Sequence, residues 1–186
     1  MTGTTKVKTS SFSIQDICMI GVLTAVIVVM AQIAIPMPLG VPMTMQTFAI
    51  TLAAIILGSK NSTIATIVYL LLGAVGLPVF ANFTGGFAKL AGPTGGFLFS
   101  FPIMAFLIGL GAEYYQRSKV LYIVFLILGT SVNYLIGTVF FCMLTDSPLS
   151  VGLGACVIPF LPTAVIKAVL ASILGLAIKK RLPSIR

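Results

Sequence analysis

The sequence has no histidine, and its acidic residues number three, Asp16, Glu113 and Asp146, in 186 positions. Without an imidazole there is no histidine-based proton transfer, and the commonest metal ligand is gone. Three scattered carboxylates exclude most hydrolytic metal sites and any carboxylate-rich ion relay. Charge of either sign is scarce: 8% of residues are charged, against about a quarter in a soluble domain, too few to cover a water-facing surface. Cysteine is thin as well. Cys18, Cys142 and Cys156 lie far apart in apolar surroundings with no CxxC pair, which predicts buried small side chains rather than ligands or disulfides. No cleavable signal is apparent, because the first apolar run, 14–35, is long for a signal core and lacks a small-x-small cleavage site before the next span.

What the chain has instead is apolar length. Hydrophobic residues make up 59% of it, and the mean hydropathy is +1.17. A membrane crossing takes about 20 apolar residues, so the length accommodates roughly five to seven crossings and predicts one integral membrane domain over 1–186. Polar or Gly/Pro-rich breaks, the second of them 58–62, leave six apolar stretches: 14–35, 43–57, 63–77, 97–112, 120–144 and 151–179. The runs are apolar all round rather than alternating, which excludes barrel strands and leaves helices, whose backbone groups are satisfied internally. The expected fold is an all-α membrane protein, a bundle of six transmembrane helices. No internal repeat is visible, against the inverted-repeat transporter folds.

The basic residues orient the bundle. Lys6, Lys8, Lys60, Arg117, Lys119, Lys179, Lys180, Arg181 and Arg186, nine of the eleven, fall on one side of a six-helix arrangement. The positive-inside rule predicts that both termini are cytoplasmic. The net charge of +8 therefore belongs to short flanks beside anionic lipid, and nucleic acid is not a partner. The two exceptions are Lys89, in the long loop between the third and fourth stretches, and Lys167, inside the sixth.

A lysine at membrane depth faces a cavity or a partner, unless its stem snorkels to an interface. No acid stands one helical turn from Lys167, where Thr163, Ala164, Leu170 and Ala171 lie; that suits an anionic ligand. The loop after the first stretch carries three prolines in 36–42, then Thr44 and Gln46, and predicts a preshaped lid or a rigid connector. Segments 82–87 and 92–96, with Asn82, Phe83 and paired glycines, offer close backbone approach and free N–H donors. The fifth stretch contributes Asn133 and Tyr134; Asn133 both donates and accepts, so it is a candidate ligand contact. Phe83, Phe87, Phe97 and Phe99 are candidate walls of an apolar pocket, or ordinary packing. On the first stretch Gly21 and Ala25, four residues apart, permit close helix approach.

Several ordered segments resemble the biotin transporter substrate-binding component family, BioY, the S component of energy-coupling factor transporters. They are Leu70-Leu-Leu-Gly-Ala-Val-Gly-Leu-Pro-Val-Phe-Ala81, Thr84-Gly-Gly86, Gly92-Pro-Thr-Gly-Gly96, Ile35-Pro-Met-Pro38, Val41-Pro-Met-Thr-Met-Gln46, Pro159-Phe-Leu-Pro162 and Ile166-Lys-Ala168. The resemblance implies six helices in the cell membrane and capture of biotin from the outer face without chemistry or cofactor in this chain. It implies a transmembrane T component and two cytoplasmic ATPase subunits as partners, the ATPases being the users of ATP. The implied contacts are Asn and Gln amides on the ureido ring, aromatic rings on the thiophane, and a lysine on the valerate carboxylate. The candidate set is Gln46, Asn82, Phe83, Lys89, Asn133, Tyr134 and Lys167. Gly21 and Ala25 take the place of the family's docking surface for the T component. The chain departs from the family where Thr163-Ala164 stands at a common Gly-Asp. The alternatives are an S component for a different vitamin, or a small intramembrane enzyme or channel.

Overall fold

The computed structural model describes residues 13–37 and 40–182. Lys6, Lys8, Pro38 and Arg186 lie outside the described residues. The first helix, α1 (Ile14–Ala31), opens on a capping box: the Ser13 hydroxyl accepts from Gln15 N–H, and the Asp16 carboxylate takes the Ser13 N–H. After it, β1 (Ala34–Ile35) and β2 (Met43–Thr44) pair antiparallel with Ala34 opposite Thr44, so the proline-bearing loop folds back onto the end of α1.

The next element, α2 (Gln46–Ala74), contains two crossings. Gly58, at φ 77° and ψ −177°, breaks it in a conformation that residues with a Cβ rarely adopt. Gln46 and Tyr69 stand 12 residues before and 11 after that break, and their side chains are hydrogen-bonded at 2.6 Å. The two limbs, 46–57 and 59–74, therefore run antiparallel. The polar run after Gly58 is not the loop that its composition suggests. Ser62 and Thr63 return their hydroxyls to the carbonyls of Gly58 and Ser59, and the Glu113 carboxylate accepts the Ser59 N–H at 2.7 Å. A carboxylate on that N–H caps the second limb.

Residues 75–94 carry a 3-10 turn, Ala81–Phe83, and the short α3 (Phe87–Leu90). Two helices follow, α4 (Gly95–Tyr114) and α5 (Lys119–Thr145), the latter capped by Ser118 and ended by left-handed Asp146. The last crossing is interrupted: α6 (Leu149–Cys156), a 3-10 turn at Ile158–Phe160, and α7 (Leu161–Lys179). The crossings are thus α1, the two limbs of α2, α4, α5, and α6 with α7. That is the six-helix bundle expected from the sequence, with the second and third crossings joined without a loop.

The first limb of α2 is buried along nearly its whole length and forms the centre, with Ile50 and Ile55 fully enclosed beside Met104 and Ile108 of α4 and Ile27 of α1. By contrast α5 and α7 expose Ile127, Leu135, Val165 and Ile173 outward, an apolar surface that belongs against lipid. Of the cysteines, Cys156 is buried, Cys142 half-buried and Cys18 exposed. The expectation of three buried thiols holds at Cys156, is met only in part at Cys142, and fails at Cys18 because α1 lies on the outside of the bundle, showing Cys18, Gly21, Val22, Ala25 and Val29 on one face.

Hydrogen bonds define the two ends. At one end Asn61 donates to Asp16, Ser59 to Glu113, and Lys179 to the Ala112 carbonyl. That end carries Lys60, Arg117, Lys119 and Lys179. At the other, Gln32 donates to the Val79 carbonyl and Lys167 to that of Thr44.

Candidate functional site

At the end opposite the basic flanks, a cleft with an empty volume of about 650 Å³, counted out to its open mouth, enters the bundle. Its walls are apolar, with Phe80, Phe97, Leu98, Phe101, Cys156 and Phe160. Its polar groups are Thr44, Gln46, Thr47, Thr94, Asn133 and Tyr134, and its charges are Lys89 and Lys167. No carboxylate lines it.

Three of these polar groups are held by named contacts. Gln46, at the start of α2 and 6% exposed, donates to the Tyr69 phenol and accepts from the Thr44 hydroxyl at 2.8 Å. It joins the two limbs of α2 to β2. Tyr69 packs edge-on against Phe80, ring centroids 5.5 Å apart, so the same residues set one aromatic wall. Asn133, 1% exposed, sends its amide nitrogen to the Ser100 hydroxyl at 2.7 Å and to the Phe97 carbonyl at 3.2 Å. Both bonds bind α5 to α4, and both use the nitrogen, leaving the amide oxygen free to accept. Tyr134 stacks edge-on with Phe97.

The electrostatics favour an anion. Lys167, in the second turn of α7, donates to the Thr44 carbonyl at 2.7 Å and has no carboxylate partner among the described residues. Lys89, half-buried in α3, is the second cation of the lining. Three helices also begin at the cleft, with Gln46 of α2, the α4 cap Thr94 and the α7 cap Phe160 all in its lining. Helix N-termini carry partial positive charge.

Of the sequence candidates, the cleft brings together Gln46, Lys89, Asn133, Tyr134 and Lys167. Asn82 and Phe83 stand outside its lining, both in the left-handed region at φ 59° and 54°. Phe83 is 71% exposed. Gln32 accepts the Phe83 N–H at 2.8 Å while its own amide nitrogen holds Val79. That clamp turns Phe80 and Ala81 inward and Asn82 and Phe83 outward. Phe87 and Phe99 are also exposed, and of the four candidate rings only Phe97 lines the cleft. The glycines of 84–86 serve chain packing: Gly85 lies against the Leu77 carbonyl with no room for a Cβ, and the Gly86 N–H bonds Gly73. Gln32, Phe80, Phe101 and Phe160 were not singled out from the sequence. Gln32 alone carried a signal, an amide closing an apolar run.

The fold and the cleft together define an all-helical membrane protein with a cationic, largely apolar cleft at one end of its bundle. The sequence pattern of the BioY family matches residues 4–184, and the chain belongs to that family. It is 44% identical over 163 residues to a Thermotoga maritima protein named biotin transporter BioY, covering 86% of this chain and 93% of the relative. A Lactococcus lactis subsp. cremoris protein named biotin transporter BioY2 is 38% identical over 158 residues, 85% of this chain and 86% of the relative. Among solved structures, a crystal structure of the S-component for biotin from an ECF-type ABC transporter superposes with a TM-score of 0.83. It is 26% identical and covers 92% of this chain and 93% of that one.

Proposed function

We propose that this chain is the substrate-binding S component of an energy-coupling factor transporter in the cell membrane, and that it captures biotin from outside for uptake. The observation that carries the reading is Lys167, a cation without a carboxylate partner, opening into a cleft of aromatic walls and amide groups. Relatives named as biotin transporters along most of the chain support the choice of ligand. The thiophane ring and the valerate methylenes lie against Phe80, Phe97, Phe101 and Phe160. The ureido group meets the amides of Asn133 and Gln46, and the carboxylate meets Lys167, with Lys89 adding field at the mouth. Every contact is a neutral hydrogen-bond group, a ring or a lysine, so capture needs neither cofactor nor metal and makes or breaks no bond in the ligand.

The basic end is cytoplasmic, with both termini, and the cleft faces out. Energy comes from partners: a transmembrane T component and two cytoplasmic ATPases. The T component docks on the exposed face of α1 at Gly21 and Ala25, where a Cβ added to Gly21 meets nothing within 4 Å. Titration calorimetry on the purified protein tests the ligand. Tight biotin binding without ATP or metal is expected; binding of another vitamin in its place would overturn the assignment.

A further inference from the structure

Beyond Lys167 the cleft continues into a narrow side recess. Thr47, Tyr134 and Lys167 border both spaces, and Thr51, Thr130 and Ala164 close the recess. Several of its protons have no protein acceptor among the described residues. Thr47 and Thr51 sit one helical turn apart on α2, and neither hydroxyl, nor the Tyr134 phenol, donates to a protein acceptor among the described residues. Lys167 has three ammonium protons, one of them on the Thr44 carbonyl. Thr130 alone is committed, to the Leu126 carbonyl at 2.8 Å.

The protein supplies no counter-charge. Asp16 and Glu113 are at the opposite end, bonded to Asn61 and Ser59, and Asp146 is exposed where α5 ends. Lys89 adds a second positive charge to the adjoining cleft. A cation at this depth pairs with a counter-charge or opens to water. Water in the cleft solvates the ammonium, and an anion in addition cancels its charge.

We propose that the ligand-free protein holds a small monovalent anion of the halide class in this recess, against Lys167, with Thr47, Thr51 and Tyr134 as hydroxyl donors. The carboxylate of the captured ligand displaces it, a step that rests on the reading of the cleft as a biotin site. Filling the cleft is then an exchange of one anion for another, and Lys167 keeps a counter-charge throughout.

The test uses the purified wild-type protein in gluconate buffer, with chloride as the probe. Chloride-35 resonance lines should broaden with wild type and sharpen on adding biotin. Broadening should fall in Lys167→Met, and in Thr51→Val, which keeps the charge and removes one donor. At constant ionic strength, raising chloride from about 10 to about 300 mM should weaken biotin roughly tenfold for an anion constant near 20 mM, by simple mass action. Equal broadening in wild type and both variants overturns the anion site, and a biotin affinity indifferent to chloride overturns the displacement. Chloride broadening in a protein that ignores biotin would sink the ligand reading and leave the anion site standing.

Discussion

The ammonium of Lys167 touches the Thr44 carbonyl on one side and open cleft on the others, so its remaining donors are available to a ligand. A hydrogen bond between a charged pair contributes about 1.5 to 3 kcal/mol, and about 1.4 kcal/mol is a factor of ten in affinity. Lys167→Met keeps most of the stem and removes the charge. Biotin should weaken by roughly ten- to a hundred-fold, whereas biotin amide, already weak on wild type, should lose much less. The difference between the two losses isolates the charge pair from general damage to the pocket. Equal losses, read by calorimetry, would reduce Lys167 to a strut between α7 and β2 and move the carboxylate to Lys89.

At the scale of elements, α1 turns Cys18, Gly21, Val22, Ala25 and Val29 outward, a face with small residues in its middle. Gly21 and Ala25 are exposed and a Cβ at Gly21 meets nothing within 4 Å, so folding and biotin binding should survive leucine at either position. A helix that needs close backbone approach would be held away, and uptake with the partner module should fall. Unchanged uptake in both variants would place the docking surface elsewhere. How far such elements were legible depended on what fixed them. The six crossings stand out in the sequence because lipid demands unbroken apolar length. The turn between the second and third does not, since Ser59 to Ser62 are polar but helical, held by Glu113 from 54 positions away. Lys167, Gln46 and Asn133 inside apolar runs, with Lys89 in the long loop, announced the charged and amide groups of the cleft. Its rings did not: the choice of Phe80 over Phe83 follows from the Gln32 clamp, a contact 51 residues apart in the chain.

For the molecule as a whole, the segregation of charge makes a vectorial prediction. Lys60, Arg117, Lys119 and Lys179 share one end, and Lys89 and Lys167 the other. In a variant whose native cysteines are replaced, Ser150→Cys should react with a membrane-impermeant maleimide on intact cells. Lys180→Cys should react only after the cells are opened. The reverse pattern would invert the bundle and close the cleft to external ligand.

The broken helix at Gly58 also bears on how the protein is made. A stretch of about 20 apolar residues is what enters a bilayer as a helix by itself. The 12 residues of the first limb of α2, about 18 Å at 1.5 Å each, fall short. This limb must partition as half of a hairpin, its sister 59–74 supplying the missing apolar length. Being enclosed on every side, it gains its stability from protein neighbours rather than from lipid. Biogenesis therefore has a late step here: α4, synthesised after both limbs, packs on them and brings Phe97, Leu98 and Phe101 to the cleft, so the binding site is completed by assembly within the membrane, after insertion into it.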